Sequence, residues 1–397
     1  MSSKRKLTTE QKMMQSVIGE INECLVERED IVKGMAVGTL AGMNIFALGL
    51  PGTAKSMLCD AWLHRLKPVN GTPVTKYQTL VTKYTEYDEV FGPMNLHSLA
   101  DGVFTRHTSI EDPETKNIVN YLPAVQVAML DEIFKGNEAF LQSLLPVLAE
   151  RRVHVAGLSR PIPLEFVLAA SNETPEEGSL NALWDRFQMR FVVDYVQDDD
   201  NWKKMVTKQL RQIDDVDASF TLDDLNAMRE QMKTVVIPDE VLDTYRRLEI
   251  KARNAKGLRI SDRRDFQLLD VVRACAWLDG RWEATKGDLY MPLMSTLWSS
   301  VEEIPVVQEL LSEVVFPNIN TAKEAYNEAK EFEIQHKEAN ALSGGERSAN
   351  RVEAKNGIED SIQLVDLLLE GCDAAETSVI TGYKTKMAKM LKHCQGN

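Results

Sequence analysis

Apolar residues recur at one-turn spacing near the start of the chain, where Met13, Val17, Ile21 and Leu25 predict a helix over residues 9–26. A second helical stretch follows over 29–42, and then the period changes. Asn44-Ile45-Phe46-Ala47-Leu48 is a short apolar run closed by Gly49, Pro51 and Gly52, which predicts a buried parallel strand entering a glycine-rich turn. Similar runs lie at 77–81, 125–130, 164–170 and 189–193, with helical sequence between them. Five such strands with helical crossovers predict an α/β domain around a parallel five-stranded sheet over residues 1–200.

Two stretches inside that domain, 97–122 and 152–163, read as hairpins added to it. From residue 201 the strand signal stops. Thr221-Leu222-Asp223-Asp224 has the form of a capping box, and Pro238 with Asp239 opens another helix. Ser261 precedes a helix running to Asp279, with Phe266, Leu269, Val272 and Ala276 expected on its apolar face. Residues 201–304 are therefore expected to form an all-helical domain. Beyond 305 the chain is more polar, with helical spacing at Ala322, Ala325, Ala329 and Phe332 and again at Ile358, Ile362, Val365 and Leu369. Residues 339–352 between them are expected to be a loop, and 305–397 a helical appendage.

Composition narrows the function classes. The chain has 397 residues, 44% hydrophobic and 27% charged, and no apolar run approaches the ~18 residues of a membrane span. Its basic start leads into a polar helix instead of an apolar segment, so a secretory leader is not expected and a cytoplasmic location is. Cys24, Cys59, Cys275, Cys372 and Cys394 are scattered without CxxC spacing, which argues against a disulfide framework or a zinc site. A net charge of −14 offers no global field for a phosphate backbone and weighs against nucleic acid as the main partner; Arg151, Arg152 and Arg160 or Lys203 and Lys204 make at most local basic patches.

The first candidate chemistry lies at Gly49-Leu50-Pro51-Gly52-Thr53-Ala54-Lys55-Ser56, with Met57 following. A strand before it and a helix after it are the setting in which backbone N–H groups cradle phosphates. Lys55 would bridge phosphates and Ser56 would offer a hard oxygen to Mg²⁺. Ala54 stands where the phosphate-loop pattern has its last glycine, a substitution expected to be harmless if that residue is already helical. The second is Val127-Ala128-Met129-Leu130-Asp131-Glu132, an apolar strand ending in two carboxylates. Asp131 would hold the metal and Glu132 would orient and deprotonate an attacking water.

With these motifs the sequence resembles the MoxR group of AAA+ ATPases, and within it the RavA-type subgroup. GLPGTAKS is similar to that family's phosphate loop, where Ala before Lys is usual. Glu89-Val90-Phe91-Gly92-Pro93, Leu130-Asp131-Glu132-Ile133-Phe134-Lys135, Ala169-Ala170-Ser171-Asn172-Glu173 and Ala182-Leu183-Trp184-Asp185-Arg186 match successive family blocks over residues 10–300. The resemblance implies a P-loop NTPase core with a helical lid, ATP/ADP and Mg²⁺ as ligands, and a homo-oligomeric, hexameric ring with chaperone-like action on protein clients. It also implies a von Willebrand factor A domain protein as partner. It makes Asn172 the sensor of the lytic water and Arg186 the finger reaching a neighbouring subunit's phosphate, with Arg190 as the alternative. Arg263, in Ser261-Asp262-Arg263-Arg264, becomes the second sensor in preference to Arg264. The inserted hairpins would line the ring's pore or contact clients. A nucleic-acid motor of the same clade and a nucleotide-gated scaffold are the competing functions.

Overall fold

The computed structural model describes residues 6–69, 71–174, 181–207, 209–213, 217–256, 258, 261–339, 344–370 and 374–395. The chain forms two compact units, residues 1–242 with 258–304, and residues 243–257 with 305–397.

The first unit is built on five parallel strands: β1 (Ile45–Leu48), β2 (Lys76–Leu80), β5 (Val127–Asp131), β8 (Phe166–Ser171) and β9 (Met189–Val192), in the order β2-β5-β8-β1-β9. β1 and β8 are buried along their whole length because helices cover both faces, which is why they read as unbroken apolar runs. Register aligns Leu48 with Ser171 and Leu80 with Asp131, so the ends of β1, β5 and β8 share one edge of the sheet. Since β8 lies between β5 and β1, whatever follows Ser171 stands between whatever follows Leu48 and Asp131.

Helices α1 (Thr9–Cys24), α2 (Glu29–Ala41) and α3 (Lys55–His64) open the unit. Thr8 and Gln11 make a reciprocal capping box on α1, whose buried face is Gln11, Met14, Val17, Ile21 and Cys24, one residue round from the expected Met13. A Cβ at Gly34 of α2 would meet the Phe191 ring at 2.0 Å, so that glycine lets the helix lie on the sheet. The first insertion carries α4 (Tyr87–Phe91), α5 (Leu96–Ala100) and the antiparallel pair β3 (Ser109–Glu111) and β4 (Ile118–Asn120); the second, after α6 (Glu138–Glu150), is the hairpin β6 (Arg152–Val155) and β7 (Leu158–Pro161). Both expected hairpins are present.

After α7 (Asn181–Trp184) and β9 the unit continues with α8 (Asp199–Val206) and α9 (Leu222–Lys233), the latter capped by the Thr221–Asp224 box. α10 (Asp239–Lys256), most of which belongs to the second unit, precedes α11 (Asp262–Leu278) and α12 (Tyr290–Thr296) of the first. Of the apolar face expected for α11, Val272 and Ala276 are buried, but Phe266 is 79% exposed, and Leu268, Val271 and Cys275 face inward instead. That helix carries apolar residues on more than one face, so spacing alone misjudges its rotation.

The second unit contains α13 (Ile304–Val315) and three long helices, α14 (Pro317–Glu338), α15 (Gly344–Leu369) and α16 (Ala374–Gln395). Ala322, Ala325 and Ala329 of α14 make a smooth face against Ile358 and Val365 of α15 and Ile380 and Met387 of α16. The loop expected at 339–352 is shorter than that, since α15 starts at Gly344; residues 340–343 lie outside the described residues. No described helix is long and apolar enough to cross a membrane.

Candidate functional site

The phosphate loop leaves β1 at Gly49, where a Cβ would sit 2.1 Å from the Val193 carbonyl, so no side chain fits there. Gly52 takes φ +81°, and Thr53 closes the turn by donating its hydroxyl to the Leu50 carbonyl at 2.9 Å. The condition set for a harmless Ala54, that it already be helical, is not met: at φ 66°, ψ 23° it is left-handed and forms the N-cap of α3. That conformation costs an L-residue roughly 1–2 kcal/mol.

Lys55 is buried, and its Nζ donates to the carbonyls of Gly49 at 2.6 Å and Leu50 at 2.9 Å and to Asn172 Oδ1 at 2.8 Å. Desolvation holds its pKa below the ordinary lysine value, opposed by the nearby charges of Glu132 and Asp131. Ser56 Oγ donates to Asp131 Oδ2 at 2.7 Å, joining the loop on β1 to the acid at the end of β5. Asp131 Oδ1 accepts from the Glu132 N–H at 2.9 Å, and Glu132 is itself left-handed at φ 53°. Both oxygens of the Glu132 carboxylate are engaged: Oε1 accepts from Asn172 Nδ2 at 2.5 Å, and Oε2 lies 3.2 Å from Lys135 Nζ and 3.4 Å from the Asn172 N–H.

Strand order explains this meeting. Lys55, Asn172 and Glu132 follow three adjacent strands, and the middle one supplies the residue that touches both others. Ser56 Oγ and Asp131 are hard oxygen donors at contact distance and fit a small divalent cation completed by phosphate oxygens. Among the described residues no group of three or more His, Cys, Asp or Glu side chains could hold a metal alone.

Sequence alone did not single out two other parts of the site. Arg28, buried between α1 and α2, donates to the carbonyls of Glu27 at 2.7 Å, Asp194 at 2.5 Å and, more weakly, Thr53 at 3.4 Å. Glu27 caps the N–H groups of Gln197 and Asp198 at 2.8 and 3.0 Å, and Tyr195 donates to the Pro51 carbonyl at 3.1 Å. Lys135 lies in the Leu130–Lys135 block and three residues after Glu132, which is a legible spacing; Arg28 depends on contacts distant in sequence.

The two arginine-finger candidates separate. Arg190 is fully buried, its guanidinium stacked 4.8 Å from the Trp184 ring centre and 5.3 Å from that of Trp298 and donating to the Ser295 and Thr296 carbonyls. Burial pushes its pKa far below the usual arginine range. It is a core residue of its own unit and is withdrawn as a finger. Arg186 is partly exposed, donates to the Ala182 carbonyl at 3.0 Å, lies 3.7 Å from Asp185, and keeps its Nε buried without a partner. Arg264 is buried and engaged 3.0 Å from Asp185 and with the Thr296 carbonyl at 3.1 Å, while the side chain of Arg263 lies outside the described residues.

Comparison with known proteins agrees with this fold. Residues 11–228, more than half of the chain, match the model of the MoxR domain in the MoxR-vWA-beta-propeller ternary systems, and residues 221–311 match an AAA lid domain. The chain belongs to the MoxR family of AAA+ ATPases. Two uncharacterized proteins of Methanocaldococcus jannaschii are similar to it, one 29% identical over 81% of each chain and one 30% identical over 73% of each. The chaperone MoxR1 of Mycobacterium tuberculosis is 25% identical over 48% of this chain and 46% of its own. A crystal structure of a candidate ATPase from Cytophaga hutchinsonii shares the fold, with a TM-score of 0.57 at 17% identity, covering 77% of this chain and 95% of that one.

Proposed function

We propose that the chain hydrolyses Mg-ATP at sites shared between copies in a hexameric cytoplasmic ring and uses the turnover to remodel partner protein complexes. The observation that carries the catalytic part is the convergence of Lys55, Ser56, Asp131, Glu132 and Asn172 at three adjacent strand ends. Lys55 now spends its hydrogen bonds on two carbonyls and Asn172, the same donors a γ-phosphate would claim. Binding of ATP moves that cation onto the β- and γ-phosphate oxygens and frees Asn172 to position a water against Glu132. Glu132 takes a proton from that water as its oxygen attacks the γ-phosphorus and the β–γ bridging P–O bond breaks, leaving ADP and phosphate. Ser56 and Asp131 would hold a magnesium ion, which would supply charge neutralisation on the phosphate oxygens.

Arg186 is assigned as the finger acting on a neighbouring copy, supported by its partial exposure and its unpartnered Nε. Gly49 through Met57 line the nucleotide's phosphates, and Arg263 is kept as second sensor by its place at the start of α11. The family description names vWA and β-propeller systems, which supports a vWA-domain partner here, and the RavA-type subgroup is retained on the motifs that resemble it. Isothermal titration of ATP into wild type and Lys55→Ala tests the site: binding at micromolar Kd lost by at least ~10-fold in the variant supports it, and equal binding rejects it.

A further inference from the structure

The hydrolytic step leaves one cation of the site unused, Lys135. It ends a single 3-10 turn, Ile133–Lys135, whose N-cap is Glu132, and its N–H closes the turn on the Glu132 carbonyl at 2.9 Å. Residues three apart eclipse in such a turn, so the Lys135 side chain comes over that of Glu132 and its Nζ lies 3.2 Å from Oε2.

The turn is held on both sides. Ile133 is fully buried, and the Phe134 ring lies edge-on to Phe46 at 5.4 Å and 5.8 Å from Trp184. At Gly136 a Cβ would come within 2.9 Å of Phe140 and 3.0 Å of Val81, so glycine lets the turn lie against α6. Asn137 then caps α6 by accepting from the Phe140 N–H at 2.9 Å, and it donates to the Thr85 carbonyl at 3.1 Å. The backbone that carries Lys135 is therefore fixed with respect to Glu132.

An ion pair between two solvated side chains contributes only ~0–1 kcal/mol and rarely fixes a geometry. Here the Glu132 side chain is 15% exposed against 44% for Lys135, so a sheltered carboxylate is met by a cation reaching in from solvent. Among the described residues Lys135 is the one cation paired with that carboxylate. The two oxygens divide the donors: Oε1 has Asn172 Nδ2, and Oε2 has Lys135 at 3.2 Å and the Asn172 N–H at 3.4 Å. When ATP draws Lys55 away and the Asn172 amide turns to the water, Oε1 is the oxygen that is vacated.

We infer that Lys135 is a positioning residue for hydrolysis, anchoring Oε2 of Glu132 so that Oε1 faces the attacking water. The inference rests on the reading of Glu132 as the base. Lys135 touches neither nucleotide nor water in this role and exchanges no proton; the water's proton goes to Oε1 as its oxygen bonds to the γ-phosphorus and the β–γ bridging P–O bond breaks.

The test is single-turnover phosphate release with titration calorimetry of ATP, on the full chain at a concentration where wild type is assembled. Wild type is compared with Glu132→Gln, Lys135→Met, Lys135→Arg and the Glu132→Gln, Lys135→Met double variant, each checked for folding by thermal melting. Lys135→Met is expected to lower the rate at saturating ATP at least ~10-fold, the effect of a misplaced reacting group, with ATP Kd within ~3-fold of wild type. Lys135→Arg, which keeps the cation, is expected to restore the rate to within ~3-fold. In the Glu132→Gln background Lys135→Met is expected to change the rate less than ~2-fold, because it acts through that carboxylate. An unchanged rate in folded Lys135→Met, a parallel loss of ATP affinity marking a phosphate ligand, failure of Lys135→Arg to rescue, or a full additional loss in the double variant overturns the inference. Absent turnover in wild type, or full turnover in Glu132→Gln, rejects the ATPase reading and this role with it, whereas turnover that needs Glu132 but not Lys135 rejects the role alone.

Discussion

Asn172 donates from Nδ2 to Glu132 Oε1 at 2.5 Å, and this bond ties the end of β8 to the turn that follows β5. The same amide accepts from Lys55, so one side chain joins the proposed phosphate-binding cation to the proposed general base. Asn172→Ala is expected to lower kcat by ~10²-fold, the usual size of one lost positioning donor, while ATP affinity changes less than ~3-fold. Steady-state phosphate release with titration calorimetry checks the split.

Ala54 holds a left-handed backbone that glycine adopts freely. Ala54→Gly is expected to raise stability by up to ~1 kcal/mol, since relief of ~1–2 kcal/mol of strain is partly offset by the entropy of the unfolded glycine chain. That corresponds to a gain of ~2–4 °C in Tm for a unit of this size. Ala54→Val, branched at Cβ, is expected to lower Tm. Differential scanning fluorimetry without nucleotide decides both.

Burial lowers the Lys55 pKa, so in the free protein the cation is lost at a lower pH than for an ordinary lysine. The sign follows. Below that folded pKa Lys55 is charged in both folded and unfolded chains and its desolvation opposes folding; between the lowered value and ~10.4 the unfolded chain binds more protons, so stability contributed at this site rises with pH while affinity for ATP falls. ATP Kd measured against pH is expected to weaken at a pH below the ordinary lysine value, and Lys55→Arg to move that limb upward.

Arg190 and Arg186 are four residues apart yet respond differently. Arg190→Ala leaves the Ser295 carbonyl and two tryptophan faces without that partner, with Thr296 keeping only Arg264, and is expected to cost about 2–4 kcal/mol. Arg186→Ala is expected to stay within ~1 kcal/mol of wild type. Urea denaturation of the two variants measures the difference.

Much of this was legible in the chain. The apolar run at 44–48 with its glycines placed the candidate phosphate loop, and the run ending at Asp131-Glu132 placed the candidate acids, because buried parallel strands leave unbroken apolar runs. Asn172 needed the family resemblance, since an Asn after a strand has no signature of its own. The left-handed backbone of Ala54 was not legible because the loop, not the residue, sets its φ. Arg190 could not be separated from Arg186 because its partners Trp184, Ser295, Thr296 and Trp298 come together only in the fold. Phe266 and residues 344–352 show the limit of periodicity in a helix with scattered apolar residues and in a glycine-started one.

The most direct measurement is ATP turnover per chain against protein concentration, with particle mass from light scattering in the same samples, for wild type, Glu132→Gln and Arg186→Ala. The proposal predicts turnover that rises as the ring assembles and falls at least ~10²-fold in both variants while each still assembles. Turnover independent of assembly, or undiminished in Glu132→Gln, would contradict it.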